Sequence, residues 1–115
     1  MKRMIVILLA AVLLLSLAAC GGAKDEWQEQ YDIGMQYFKD ENYEEAAAAN
    51  EAAIEIDESQ PKAYLATAEA YVGLGDYVSA IKVLQRCYDA TGETSAKERV
   101  NDICTQWLVT DAYAY

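Results

Sequence analysis

The sequence predicts an all-α fold, and three observations carry that prediction. The chain has 115 residues with one proline, and it contains no Asn-Gly or Asp-Gly pair of the kind that closes tight β-hairpins. The good helix formers Ala, Glu and Leu are abundant. The sequence also matches itself after a shift of 34 residues, which indicates two copies of one supersecondary unit.

The positions that match across this shift are mostly aromatic or small. They pair Tyr37 with Tyr71, Tyr43 with Tyr77, Gly34 with Ala68, Ala46 with Ala80, and Ala53 with Cys87. A helical period of this length with this pattern resembles the tetratricopeptide repeat, a helix-turn-helix unit. The resemblance implies two repeats, 27–60 and 61–94, stacked as a short right-handed α-solenoid. It further implies that Gly34 and Ala46 are small because the two helices of a repeat approach each other there.

The turns inside and between the repeats carry recognisable capping residues. In the second repeat Gly75 is suited to closing one helix and Asp76 to capping the next. In the first repeat Asn42 and Glu45 have the spacing of a capping box. Pro61 fits the first turn of a helix, with Ser59 as the nearby cap candidate.

A further helix is predicted over residues 95–109, followed by a short tail at 110–115. Ser95 and Glu98 again have capping-box spacing. Five apolar residues recur on one face of this helix: Val100, Ile103, Cys104, Trp107 and Leu108. We expect this helix to cap the open end of the second repeat. Two repeats are fewer than the three that usually give a stable array, so we expect modest stability or self-association.

The N-terminal segment has the features of a secretory signal. Residues 4–19 carry no charge and follow Lys2 and Arg3. The segment ends in Leu17-Ala18-Ala19-Cys20, which resembles the bacterial lipobox. The resemblance implies a diacylglyceryl group on the Cys20 thiol and cleavage before it, giving a signal peptide at 1–19 and a lipidated linker at 20–26. The mature protein would then be lipid-anchored outside the cytoplasm.

Two other interpretations of this segment remain open. An uncleaved transmembrane anchor is the first, but 16 apolar residues give only about 24 Å of helix against a hydrocarbon core of about 30 Å. An ordinary signal peptide followed by a coincidental cysteine is the second.

Composition argues against several classes of function. The chain has no histidine, the commonest general base and metal ligand, and its serines do not form a nucleophile elbow, so we expect no enzyme and no metal site. It carries 19 acidic and nine basic residues, which disfavours nucleic acid as a partner. We expect no cofactor besides the lipid. Cys87 and Cys104 lie on helices expected to be neighbours, and we favour free thiols over a disulfide.

The tetratricopeptide resemblance assigns a concave groove to the first helix of each repeat. The corresponding positions are Tyr31, Met35, Phe38, Lys62, Leu65, Glu69 and Val72. Because this face is more apolar than charged, we expect a module that recruits a protein or peptide partner at the cell envelope. The alternative is a structural or assembly subunit that buries the groove in a homo-oligomer or an envelope complex.

Overall fold

The computed structural model describes residues 23–113, which form five α-helices joined by short turns. They are α1 (Ala23–Lys39), α2 (Tyr43–Ile56), α3 (Pro61–Gly73), α4 (Tyr77–Thr91) and α5 (Thr94–Tyr113). Each helix packs mainly against its neighbours in sequence, with a smaller contact between α1 and α3. The prediction of an all-α protein with stacked helical repeats and a terminal helix is confirmed. The predicted signal peptide, with Cys20, lies outside the described residues.

Small residues stand where the helices of a pair meet. Ala46 and Ala53 on α2, like Ala80 on α4, have no exposed surface. Gly34 on α1 faces Asn50 on α2, and a Cβ at Gly34 would stand 2.8 Å from the Asn50 Cγ. The close approach of α1 and α2 therefore requires glycine at this position.

The turn before α4 forms as predicted. Gly75 takes a φ of 74°, a left-handed conformation that favours glycine. Asp76 caps α4, because its carboxylate accepts hydrogen bonds from the Ser79 backbone N (3.1 Å) and Oγ (2.7 Å). These hydrogen bonds lower the pKa of Asp76 below its ordinary value of 3.8.

The turn before α2 differs from the prediction. Asn42 precedes α2, but its side chain makes no capping hydrogen bond, so the predicted Asn42–Glu45 capping box is wrong. Glu41 takes the left-handed conformation, with a φ of 61°, where the second repeat has Gly75. The turn before α2 thus has the same left-handed conformation as the turn before α4, although it lacks the glycine that adopts this conformation most easily.

The serine caps predicted at the starts of α3 and α5 are not formed. Pro61 is the first residue of α3 as expected, but the residue before it is Gln60, and Ser59 instead donates its Oγ to Asp57 Oδ1 at 2.5 Å. Ser95 donates its Oγ to Glu93 Oε1 at 2.8 Å, so the predicted Ser95–Glu98 box is wrong. Both serines bond to a carboxylate two residues earlier, which holds the turn and leaves the helix start without a serine cap.

The predicted limits of the first and last helices were too narrow. The first helix begins at Ala23, inside the predicted linker, and α5 runs from Thr94 to Tyr113, through most of the predicted tail. Ile103 is fully buried against α4, but Trp107 is partly exposed and Leu108 is 71% exposed. The apolar face of α5 is therefore only half covered. Trp107 stacks on Tyr77, the first residue of α4, with 6.1 Å between ring centroids.

No helix within residues 23–113 combines the length and the hydropathy needed to span a bilayer.

Candidate protein-binding groove

The first helices of the two repeats, α1 and α3, line a cavity of about 230 Å³. Its walls are formed by Tyr31, Met35, Phe38, Lys62, Leu65, Ala66 and Glu69. Six of the seven groove residues predicted from the sequence thus lie together. The reason is helical periodicity, since residues spaced by three, four or seven positions share one face of each helix.

Val72 and Ala66 differ from the prediction. Val72 does not line this cavity; it is half-buried and packs against the main core. Ala66 also lines the cavity, although it was not among the predicted groove residues. Its methyl group is the smallest side chain in the wall.

The aromatic walls of the groove are held by contacts behind them. Tyr31 leans on Trp27, with 6.1 Å between ring centroids and an interplanar angle of 57°. Phe38 meets Tyr43 edge to face at 5.3 Å and packs on the small cluster formed by Ala46, Ala47 and Ala70. Side chains supported in this way lose little rotamer freedom on binding, which favours recognition of an apolar ligand.

The rim of the groove carries charges of both signs. Glu69 forms a bidentate ion pair with Arg99 of α5, with Nε–Oε1 at 2.5 Å and Nη2–Oε2 at 3.0 Å. The hydrogen bonds to Glu69 raise the pKa of Arg99 above its ordinary value. Lys62 takes part in neither of the two ion pairs found among the described residues. Its ammonium group is therefore available to a ligand at the other end of the cavity.

Sequence reasoning missed Arg99. It lies 30 residues from Glu69 and on the terminal helix, so no local spacing connects the two side chains. The only available signal was its place among acidic residues near the start of a helix expected to pack on the second repeat.

The concave surface continues beyond this cavity. A neighbouring cavity of about 440 Å³ shares Lys62 and Leu65 and extends to Trp27, Gln28, Gln60, Pro61, Glu93 and Ser95. The two cavities therefore form one continuous surface from Phe38 to the start of α5, with Leu65 in both.

The two cysteines of the described region are free thiols. Cys87 is fully buried on α4, with its sulfur 3.8 Å from the Thr91 Oγ1, whereas Cys104 is half-buried on α5. Burial raises the pKa of the Cys87 thiol. Among the described residues, no group of three or more Asp, Glu, Cys or His side chains is arranged to hold a metal ion.

Comparison with known proteins gives one match that covers much of the chain. The family model described as tetratricopeptide repeat matches residues 37–95, which include the second helix of the first repeat and all of the second repeat. No curated protein matches the sequence. Domains with this fold generally bind other proteins and are typically non-catalytic. The match spans more than half of the sequence, and the chain therefore belongs to the tetratricopeptide repeat family.

Proposed function

We propose that this protein is a lipid-anchored, non-enzymatic interaction module that recruits a protein or peptide partner at the cell envelope. Membership of the tetratricopeptide repeat family supports the interaction role. The lipobox-like sequence that ends at Cys20 supports the anchor and the extracytoplasmic location. No catalytic step is part of the proposal.

The observation that carries the recruiting role is the groove between α1 and α3. Its floor and walls are apolar and aromatic, yet no other part of the described chain covers them. A bound segment would bury apolar surface there, and this burial is favourable by about 25 cal/mol for each Å². Lys62 and the Glu69–Arg99 pair would orient its polar groups at the two ends.

The anchor gives this groove its place of action. Because α1 begins at Ala23, only Gly21 and Gly22 separate it from Cys20, and the distance from Cys20 to Ala23 is about 10 Å at most. The groove would therefore lie close to the membrane surface. More than one acyl chain would make the anchoring stable, and confinement would raise the effective concentration of a partner at the same surface.

The anchor is tested by labelling cells with palmitate. The wild-type protein should incorporate the label and Cys20→Ala should not, because the acceptor thiol is lost. Cys104→Ala is the matched control and should be labelled like the wild type. Label on the Cys20→Ala protein would contradict the anchor, whatever the groove does.

The groove is tested by purifying the full chain from cells with its bound partner. Met35→Asp and Leu65→Asp should each abolish copurification, because a carboxylate in the apolar wall loses its hydration when a ligand covers it. Leu74→Asp is the control, since Leu74 is 48% exposed on the turn after α3 and does not line the groove. Copurification that survives both groove variants would contradict the proposal. If the two groove variants instead lose self-assembly and no partner copurifies with the wild type, the structural-subunit alternative would be supported.

A further inference from the structure

A second surface lies on the other side of the solenoid, between α4 and α5. It is a cleft of about 510 Å³ lined by Leu84, Gln85, Tyr88, Asp89, Lys97, Val100 and Asn101. Leu84 is fully buried and Val100 half-buried beneath the cleft, and Lys97 Nζ lies 3.9 Å from the centre of the Tyr88 ring. None of these residues belongs to the groove between α1 and α3.

The chain itself shows what such a cleft accepts. The cleft between α2 and α3 is the counterpart of the α4–α5 cleft one repeat earlier. A shift of 34 residues relates α2 to α4 (Ala46 to Ala80), and a shift of 33 residues relates α3 to α5 (Ala63 to Ala96). The helix α4 packs against α3 and reaches α2 beside that earlier cleft. Four counterparts of the lining residues are buried there, whereas the residues of the open cleft that correspond to them are not fully buried: Ile54, Tyr64, Thr67 and Ala68.

The occupying helix is also held by polar contacts at the edge of the earlier cleft. Arg86 of α4 bonds to Glu51, with 2.9 Å from Nη1 to Oε1, and its guanidinium lies 5.8 Å from the centre of the Tyr64 ring. Glu51 and Tyr64 correspond to Gln85 and Lys97 in the open cleft. The open cleft thus has polar edge residues at the positions that hold α4 in the earlier cleft, and no helix of the described region fills it.

An uncovered surface extends along both helices beyond the cleft. On α5 the spacing of Lys97, Asn101 and Leu108 places all three on one face, and Leu108 is the most exposed large apolar residue of the described region. On α4 the exposed Val78 lies two turns before Gln85 on the same face. The cleft therefore continues toward the C-terminal end of α5 as an uncovered stripe of mixed polarity that carries the apolar Leu108.

We propose that a second copy of this chain covers the cleft, with α5 of each copy packed into the α4–α5 cleft of the other. The uncovered stripe on α5 and the open cleft beside it belong to the same surface, so one two-fold contact would bury both on both copies. This proposal depends neither on the lipid anchor nor on the groove, which would remain open in the dimer.

Charge favours a second copy over a basic partner at this site. Residues 23–60 carry 12 acidic and two basic side chains, whereas residues 61–113 carry seven acidic and five basic ones. A basic protein would be drawn to the first repeat. Two copies that meet through their nearly balanced C-terminal halves keep their strongly acidic repeats apart.

The contact area is adequate for a specific dimer. The 20 residues of α5 span about 30 Å, and two adjacent helices present a strip about 20 Å wide. The two copies together would bury about 1,200 Å², the lower end of the range for specific interfaces. We therefore expect a dimer that dissociates on dilution.

The test measures the protein mass of the full chain in mild detergent by light scattering. The wild type should have twice the mass of a single chain at high concentration. Leu108→Lys and Val78→Lys should each raise the dimer dissociation constant by about 100-fold or more, because each dimer loses two apolar contacts. Leu108 and Val78 are exposed in the single chain, so neither change should alter the helical circular dichroism.

Two controls separate this interface from others. Val109→Lys alters the neighbouring residue, which is 50% exposed but points away from the cleft, and it should leave the dimer intact. Met35→Asp in the groove should also leave it intact. A wild type with the mass of one chain, a dimer that survives Leu108→Lys, or dissociation by Val109→Lys or Met35→Asp would overturn the proposal.

A second measurement uses two differently tagged copies in cells, with a photoreactive residue at Asn101. Crosslinks between the two tagged copies are expected. Crosslinks from Asn101 to a different protein alone would show that another helix occupies the cleft, and this would also overturn the proposal.

Discussion

Adding a single methyl group at Gly34 tests how closely α1 and α2 pack. Gly34 is buried in the interior of α1, and a Cβ built there would lie 2.8 Å from Cγ and 3.0 Å from Oδ1 of Asn50, with Nδ2 closer still. Asn50 cannot move away freely, because it is buried and donates Nδ2 to the Ala46 carbonyl at 3.0 Å. Gly34→Ala must therefore displace either this side chain or the helix.

The expected loss of stability follows from two opposing effects. Alanine in a helix interior is favoured over glycine by about 1 kcal/mol. Overpacking a well-filled site costs about 1–3 kcal/mol, and displacing Asn50 also breaks a buried hydrogen bond worth about 1 kcal/mol. The net expectation is a loss of about 1–3 kcal/mol, or roughly 5–20 °C in Tm for a domain of this size.

The assay is thermal unfolding followed by circular dichroism, with Asn50→Ala as a second background. On that background Gly34→Ala meets no amide, so it should be neutral or raise Tm. The reasoning is refuted if Gly34→Ala leaves the wild-type Tm unchanged or raises it. It is also refuted if the substitution lowers Tm equally in both backgrounds.

Three further predictions concern the turns and the thiols. Glu41→Gly should stabilise the domain by about 0.5–1 kcal/mol in urea unfolding, because it relieves a left-handed conformation in a non-glycine residue; reduced stability would contradict this. The folded pKa of Asp76 lies below its unfolded value of 3.8, so the contribution of its cap is present above that pH and is lost as the pH falls through the folded pKa. Tm measured from about pH 5 to about pH 2 should therefore fall less in Asp76→Asn, which keeps a cap but does not titrate, and an identical fall would contradict the assignment. In the folded protein a thiol reagent should modify Cys104 well before Cys87, as read by mass spectrometry of digested fragments; equal rates would contradict the burial of Cys87.

The repeat architecture could be predicted from the 34-residue periodicity, and most of the groove from the tetratricopeptide resemblance that this periodicity supports. Tyr31, Met35 and Phe38 share one face of α1, and this does not depend on the conformation of the turn that follows. The residues that match over 34 positions indicate which helix faces pack together. The same reasoning placed Asp76 correctly, since Gly75 before it fixed the turn.

The capping errors arose because cap geometry depends on backbone angles that residue spacing does not determine. Asn42, Ser59 and Ser95 all have side chains able to cap a helix. In the structure Asn42 makes no capping bond, and the two serines bond to carboxylates two residues before them. Competition between a cap and a local turn is decided by small energy differences, which sequence patterns do not resolve.

The exposed face of α5 shows a second limit of prediction from the sequence. An apolar stripe indicates that a face will be covered, but not by what. Ile103 is buried in the core of its own chain, whereas Leu108, which the sequence analysis placed on the same apolar face, is 71% exposed. The Glu69–Arg99 pair was missed for a related reason, because it joins helices whose relative rotation is set only by packing.

The recruiting function is tested most directly by placing a photoreactive residue at Leu65 in the full chain and irradiating intact cells, with Leu74 as the control position. Crosslinked products are then identified by mass spectrometry. We expect one heterologous protein to be captured from Leu65 and to be absent from Leu74. Crosslinks from Leu65 only to other copies of this chain would contradict it, and would assign the groove to a homo-oligomeric structural role.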